Sequence, residues 1–106
     1  MGLFEKVLTV NEGINQSRTE PNAYLIDIRS KEFFQAGHVK GAINIPIDRL
    51  DLIEHRIKDK SSHLFLIGSY SCRIQKAKKA LKKMGYTNIT LSGNMEEHYG
   101  LLAKGK

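Results

Sequence analysis

Apolar residues follow two rhythms along this chain, short unbroken runs and stripes at helical spacing. Ala23-Tyr24-Leu25-Ile26-Asp27-Ile28 and His63-Leu64-Phe65-Leu66-Ile67 are nearly continuous apolar runs. Such runs are the pattern of strands buried on both faces, as in a parallel sheet. Ala42-Ile43-Asn44-Ile45, ended by Pro46, and residues 88–91 read as two further strands. Ile74, Ala77, Leu81 and Met84 recur at helical spacing and predict a helix over 73–84, with Gly85 in the position after its last turn. Asp48 is a natural N-cap for a helix carrying Leu50, Leu52, Ile53 and Ile57. Residues 31–36 predict a short helical turn with Phe33 and Phe34 inward, broken by Gly37-His38. Toward the ends, Leu8-Thr9-Val10 reads as a short strand, and Asn11, Asn15 and Gln16 mark a first helix running to about Ser17. From Gly93 onward, Met95, Tyr99 and Leu102 predict a terminal helix.

Strands alternating with helices at this spacing predict an α/β fold, a central parallel sheet flanked by helices on both faces. Leu25, Ile26, Ile28, Ile43, Ile45, Leu64, Leu66 and Leu81 are the expected core, with Ile74 and Met84 at its edge. With 106 residues, 41% of them hydrophobic, the chain is expected to form one domain over 1–106 whose stability rests on packing. A single cysteine, Cys72, excludes an intrachain disulfide and a multi-cysteine zinc site. His55, His63 and His98 lack metal-ligand spacing, so no metal and no cofactor are expected. The longest apolar run is of strand length, far short of the roughly 20 residues of a membrane helix. The first residues lack both a signal-peptide core and the Ser or Thr of a myristoylation motif. A soluble, cytoplasmic protein without a membrane partner is the expectation.

Charge changes the picture more than composition does. The chain carries a net charge of +6, yet Arg73, Lys76, Lys78, Lys79, Lys82 and Lys83 lie in a stretch, 61–95, that holds no Asp or Glu. The other 11 basic residues are matched by 11 acidic ones, so the whole excess sits on this segment. Three readings fit: nucleic-acid binding, a solvated helix face, or a field that draws anions to a nearby site. No aromatic residue is interleaved with these lysines, which disfavours base stacking and specific nucleic-acid readout. An acidic protein partner or a small anion is the better match.

In a parallel α/β sheet, ligands bind beyond the carboxyl ends of the strands. The loop after the most apolar strand, Gly68-Ser69-Tyr70-Ser71-Cys72, leads into the basic helix at Arg73. Backbone N–H groups and a helix N-terminus converging there would make an anion-binding loop of residues 68–73. Ser69, Tyr70 and Ser71 offer hydroxyls to a bound anion.

Leu25-Ile26-Asp27-Ile28-Arg29, Glu32-Phe33 and Gly37-His38-Val39-Lys40-Gly41-Ala42-Ile43-Asn44-Ile45-Pro46 together resemble the first signature of single-domain rhodanese-like proteins. The likeness continues through 80–89, similar to the segment after that family's active loop, and through Leu91-Ser92-Gly93-Asn94-Met95-Glu96. It implies a small rhodanese-like α/β domain and sulfurtransferase chemistry. In that chemistry a cysteine opening the loop takes the outer sulfur of a small sulfur-containing anion such as thiosulfate, holds it as a persulfide and passes it to a thiophilic acceptor. Asp27 and Arg29 match the family's D-x-R and support the loop, and His38 matches its G-H. For Asp27 and Arg29 an ion pair at a strand end is the alternative to a role beside the loop. The interval from Gly68 to Arg73 fits the sulfurtransferase loop rather than the longer C-x5-R loop of related phosphatases.

Counting back from Gly85-Tyr86 places Arg73 on the loop's final arginine and Gly68 on the nucleophile. The sole thiol, Cys72, lies four positions later. Either the domain is a non-catalytic module that binds an anion or a partner, or Cys72 carries the sulfur from a new position with Arg73 beside it. Helix-start placement with no acid nearby in sequence favours a thiolate. Four extended residues span up to ~13–14 Å, which would hold its sulfur away from the centre of the loop.

Overall fold

A computed structural model describes residues 7–105. Four strands, β1 (Ala23–Asp27), β2 (Ile43–Asn44), β3 (His63–Gly68) and β4 (Ile89–Asn94), form one parallel sheet in the order β2-β1-β3-β4. Four α-helices accompany them: α1 (Val10–Thr19), α2 (Lys31–Ala36), α3 (Ile53–Arg56) and α4 (Ile74–Lys83). Ile26, Leu64 and Leu66 join Ile53, Ala77 and Leu81 in one core on the α3 and α4 side. Leu25, Phe65 and Ile67 join Val10 and Ile14 in a second core on the α1 side. Successive strand residues point to opposite faces and both faces are covered, so β1 and β3 are apolar over most of their length, the charged exception being Asp27 at the end of β1. Of the expected core, Ile43 is only partly buried, because its strand is two residues long and lies at the sheet edge.

Several local expectations are corrected. The stretch 8–10 is not a strand: Val7 makes a single bridge to Leu91, and the Leu8 N–H donates to the Leu91 carbonyl at 2.9 Å. The first helix starts at Val10, capped by Thr9 rather than Asn11. Thr9 and Glu12 satisfy each other's N–H groups in a capping box, which sets the start of the helix. Gly13 lets this helix approach β4, since a β-carbon there would collide with Ser92 Oγ.

Asp48 caps nothing. The segment Ile47–Leu52, entered from Pro46, is a pair of 3-10 turns kinked at Arg49, whose backbone is non-helical (φ −132°, ψ 40°), and α3 follows it. Leu50 and Ile53 are buried in the core, and Ile47 packs against it partly exposed. In α2 Phe34 is buried, whereas Phe33 is 64% exposed. Adjacent residues of so short a helix point in different directions, and Phe34 takes the inward one, stacked on His38 at 3.8 Å between ring centroids. The terminal helix is absent: β4 extends to Asn94, a single 3-10 turn covers Met95–Glu97, and Tyr99 is 75% exposed. Gly93 and Gly100 have left-handed backbones that interrupt any helix there. The chain then returns beneath α2, where His38 and Ala103 exchange backbone hydrogen bonds at 2.9 and 2.8 Å.

Candidate active site

The carboxyl ends of the strands meet at one end of the sheet, and each contributes a piece of the site. At the end of β1, Asp27 and Arg29 are both buried. Arg29 Nη2 donates to Asp27 Oδ2 at 2.9 Å and to the Gly37 carbonyl at 2.8 Å, and Nε donates to both carboxylate oxygens. The Arg29 backbone N–H donates to Asp27 Oδ1, while Asn44 Nδ2 donates to the carbonyls of both residues. This corner is a buried, charge-assisted clamp. His38 is buried nearby and held by one hydrogen bond, Nδ1 lying 2.7 Å from the Phe34 carbonyl.

At the end of β3 the loop behaves differently. The Cys72 N–H donates to the Ser69 carbonyl at 2.9 Å, closing a four-residue turn that folds the chain back on itself. A β-carbon added to Gly68 would stand 3.4 Å from Cβ of Cys72, 3.6 Å from Cδ1 of Ile28 and 3.7 Å from Oδ1 of Asn94. The extended-chain separation expected for Cys72 is therefore wrong. The turn brings its side chain into contact with the space that a side chain at 68 would fill. Gly68 itself has no left-handed backbone, so nothing in its conformation demands glycine.

Cys72 is half-buried, and its Sγ accepts a hydrogen bond from Ser69 Oγ at 3.3 Å. Ser69 Oγ lies 2.9 Å from Ser71 Oγ, so two hydroxyls form a short chain to the sulfur. The sulfur-bearing residue borders two clefts. One, of about 340 Å³, is walled by Ile28, Arg29, Phe33 and Pro46. The other, of about 350 Å³, carries Arg73 and Lys76. Exposed Phe33 forms part of the wall of the first. Arg73, exposed, directly precedes α4 and lines this second cleft.

Sequence reasoning missed the acids. The segment 61–95 holds none, but the 3-10 turn after β4 brings Glu96 and Glu97 onto the loop. The Tyr70 N–H donates to Glu96 Oε1 and Oε2 at 3.1 and 3.2 Å, and the Tyr70 hydroxyl donates to Glu97 Oε2 at 2.8 Å. That hydrogen bond to Glu97, with the two carboxylates behind it, holds the Tyr70 phenol above its ordinary pKa. One loop amide expected to face an anion is thus already bound to a carboxylate. The signal was Glu96 itself, which lies within the 91–96 segment that carries part of the family likeness.

The profile of the rhodanese-like domain matches residues 8–97. The thiosulfate sulfurtransferase PspE of Escherichia coli is 33% identical over 73 residues, covering 68% of this chain and 70% of its own. A solved rhodanese from E. coli, described with bound anions, superposes with a TM-score of 0.70 at 31% identity, over 78% of this chain and 99% of that one. The single-domain sulfurtransferase RDL2 of Saccharomyces cerevisiae has the same fold at 16% identity, with a TM-score of 0.72 over 92% of this chain and 90% of its own. From its strand order to the loop at the end of β3, the chain belongs to the rhodanese-like sulfurtransferase family.

Proposed function

We propose that the chain is a sulfurtransferase whose sulfur carrier is Cys72, acting from a position four residues beyond the family's nucleophile. The observation that carries this reading is the 3.4 Å separation between Cβ of Cys72 and the β-carbon that Gly68 lacks. The Cys72 thiolate attacks the outer sulfur of a thiosulfate-type donor. The donor's S–S bond breaks, sulfite leaves with the electron pair, and Cys72 is left as a persulfide. A thiophilic acceptor then attacks that outer sulfur and the persulfide bond breaks, returning the thiolate with no net oxidation of the protein. Ser69 donates its hydroxyl hydrogen to the thiolate, supported by Ser71. Arg73 and Lys76, outnumbering Asp48 in the cleft they line, attract the oxyanion end of the donor. Buried Asp27 and Arg29 hold the neighbouring strand end rigid. The compartment proposed is the cytoplasm, where a lone thiol stays reduced.

The test is intact mass after incubation with thiosulfate and removal of excess reagent. The natural chain should gain one sulfur atom, lost again on addition of cyanide or a thiol, and Cys72→Ser should gain none.

A second reading, a non-catalytic anion- or partner-binding module, is favoured by Glu96, which occupies the Tyr70 N–H. It predicts that thiosulfate binds, or fails to bind, without any change in mass.

A further inference from the structure

We propose that the groove along the outer edge of β2 is a docking site for an acidic, extended segment of a partner protein. The strand order places β2 outermost in the sheet. Beside it, α2 and the helical segment 47–56 enclose an open groove of about 620 Å³, larger than either cleft at Cys72. Its floor is largely apolar, with Ile43 and Pro46 among its residues, and its rim carries Lys31, Lys40, Arg49 and Arg56. All four cations are exposed, and no Asp or Glu lines the groove. Arg49 pairs with Asp51 across solvent, a contact that offsets little. Lys31, Lys40 and Arg56 have no ion pair among the described residues. Four like charges around one depression make a local field that a complementary chain of carboxylates would neutralise.

The form of the groove selects among anions. No serine or threonine hydroxyl lines it, and its charges are spread along a rim rather than converging on a point. That suits an elongated polyanion rather than a single oxyanion. Nucleic acid is disfavoured because the two rings in the lining, those of Phe34 and His38, are buried and stacked on each other. Alternating acidic and apolar side chains on an extended segment would match a cationic rim, an apolar floor and an exposed sheet edge.

The groove also leads somewhere. Pro46 lines both the groove and the Cys72 cleft, and Ser30, in the wall of that cleft, is followed directly by Lys31 on the groove rim. A segment held along β2 would bring the rest of its protein to the sulfur site. Only this last step rests on the sulfur-transfer reading, whereas the docking does not.

The experiment is a titration of the isotope-labelled full chain, followed by amide chemical shifts, with a short peptide in which Glu alternates with Leu and Val. Shifts should cluster at Lys40, Gly41, Ala42, Ile43 and Asn44. The pair Lys40→Glu with Arg56→Glu, both at exposed positions, should weaken binding by about tenfold or more. The pair Lys79→Glu with Lys83→Glu on α4, which alters net charge equally, should leave it nearly unchanged. Cys72→Ser should bind as the natural chain does, so loss of sulfur transfer and loss of docking are read separately. Absence of shifts at low salt would overturn the proposal, as would shifts confined to α4 or binding indifferent to the first pair. An RNA oligomer of equal charge that bound the same residues more tightly would overturn it too.

Discussion

Two strand ends lie side by side at the same end of this sheet, and they are built on opposite principles. At the end of β1 the Asp27–Arg29 clamp is buried, and its carboxylate oxygens and guanidinium are bound within the protein, to each other and to the Gly37 carbonyl. At the end of β3 the loop presents an exposed tyrosine, a half-buried thiol and hydroxyls bound mostly to one another. Its contacts to Glu96 and Glu97 are made at the surface, where water replaces them at little cost. The clamp is fit to hold geometry. The loop is fit to exchange partners, which the proposed sulfur transfer would require.

The largest effect follows from breaking the clamp. Asp27→Ala leaves the Arg29 guanidinium buried beside a lost counter-charge and should destabilise the fold by about 3–5 kcal/mol. Denaturant unfolding measures it. A loss below half a kcal/mol would mean that water reaches Arg29 and that the two strand ends are less different than their burial indicates.

The clamp was legible in the sequence and the loop only half so. Continuous apolar runs expose β1 and β3 because both faces of the sheet are covered, and Ile74, Ala77 and Leu81 expose α4 because a helix repeats its buried face. Asp27 and Arg29 are close in sequence, so their pairing was an open expectation from the start. The position of Cys72 was misjudged because a turn hydrogen bond, Cys72 N–H to the Ser69 carbonyl, shortens the chain in a way that composition does not announce. Glu96 and Glu97 were missed because they reach Tyr70 from the 3-10 turn after β4, 26 and 27 residues away. Asp48 and Phe33 misled for a local reason: a good cap residue and an apolar residue are each common in places where the backbone does not use them.

The second effect sharpens the loop's side of the comparison. A thiol at position 68 would stand within disulfide reach of Cys72, so Gly68→Cys is best made in the Cys72→Ser background. Its β-carbon meets ordinary contacts and an unstrained backbone, and stability should change by less than about 1 kcal/mol. If both positions serve one anion site, the double variant should recover the thiosulfate-dependent mass gain that Cys72→Ser lacks. No recovery would separate the two positions and weaken the case that Cys72 stands in for the family's nucleophile.

A smaller effect is expected from Glu96→Ala, which frees the Tyr70 N–H and removes a negative charge from the entrance of an anion. The KM for thiosulfate should fall about fivefold, corresponding to roughly 1 kcal/mol, with kcat little changed. A KM that stays constant or rises would show that Glu96 holds the loop in its working shape rather than competing for its amide.

The smallest effect is a titration. The hydrogen bond from the Tyr70 hydroxyl to Glu97 favours the neutral phenol, as does the repulsion of a phenolate by Glu97 and Glu96. Its pKa therefore lies above the ordinary value of 10.0 in the folded chain. The sign of the linkage follows from that direction: whatever stability this contact supplies is complete below the unfolded pKa and disappears as pH rises through the folded one. At neutral pH the loop is thus tethered at both the amide and the hydroxyl of Tyr70. Ultraviolet absorbance of the phenolate, in a chain where Tyr24, Tyr86 and Tyr99 are replaced by Phe, should show Tyr70 ionising late. Adding Glu97→Gln should return it toward 10.0. An unchanged titration would mean that the Tyr70–Glu97 contact is not populated in solution. The loop at the end of β3 would then differ from the clamp at the end of β1 even more than its hydrogen bonds indicate.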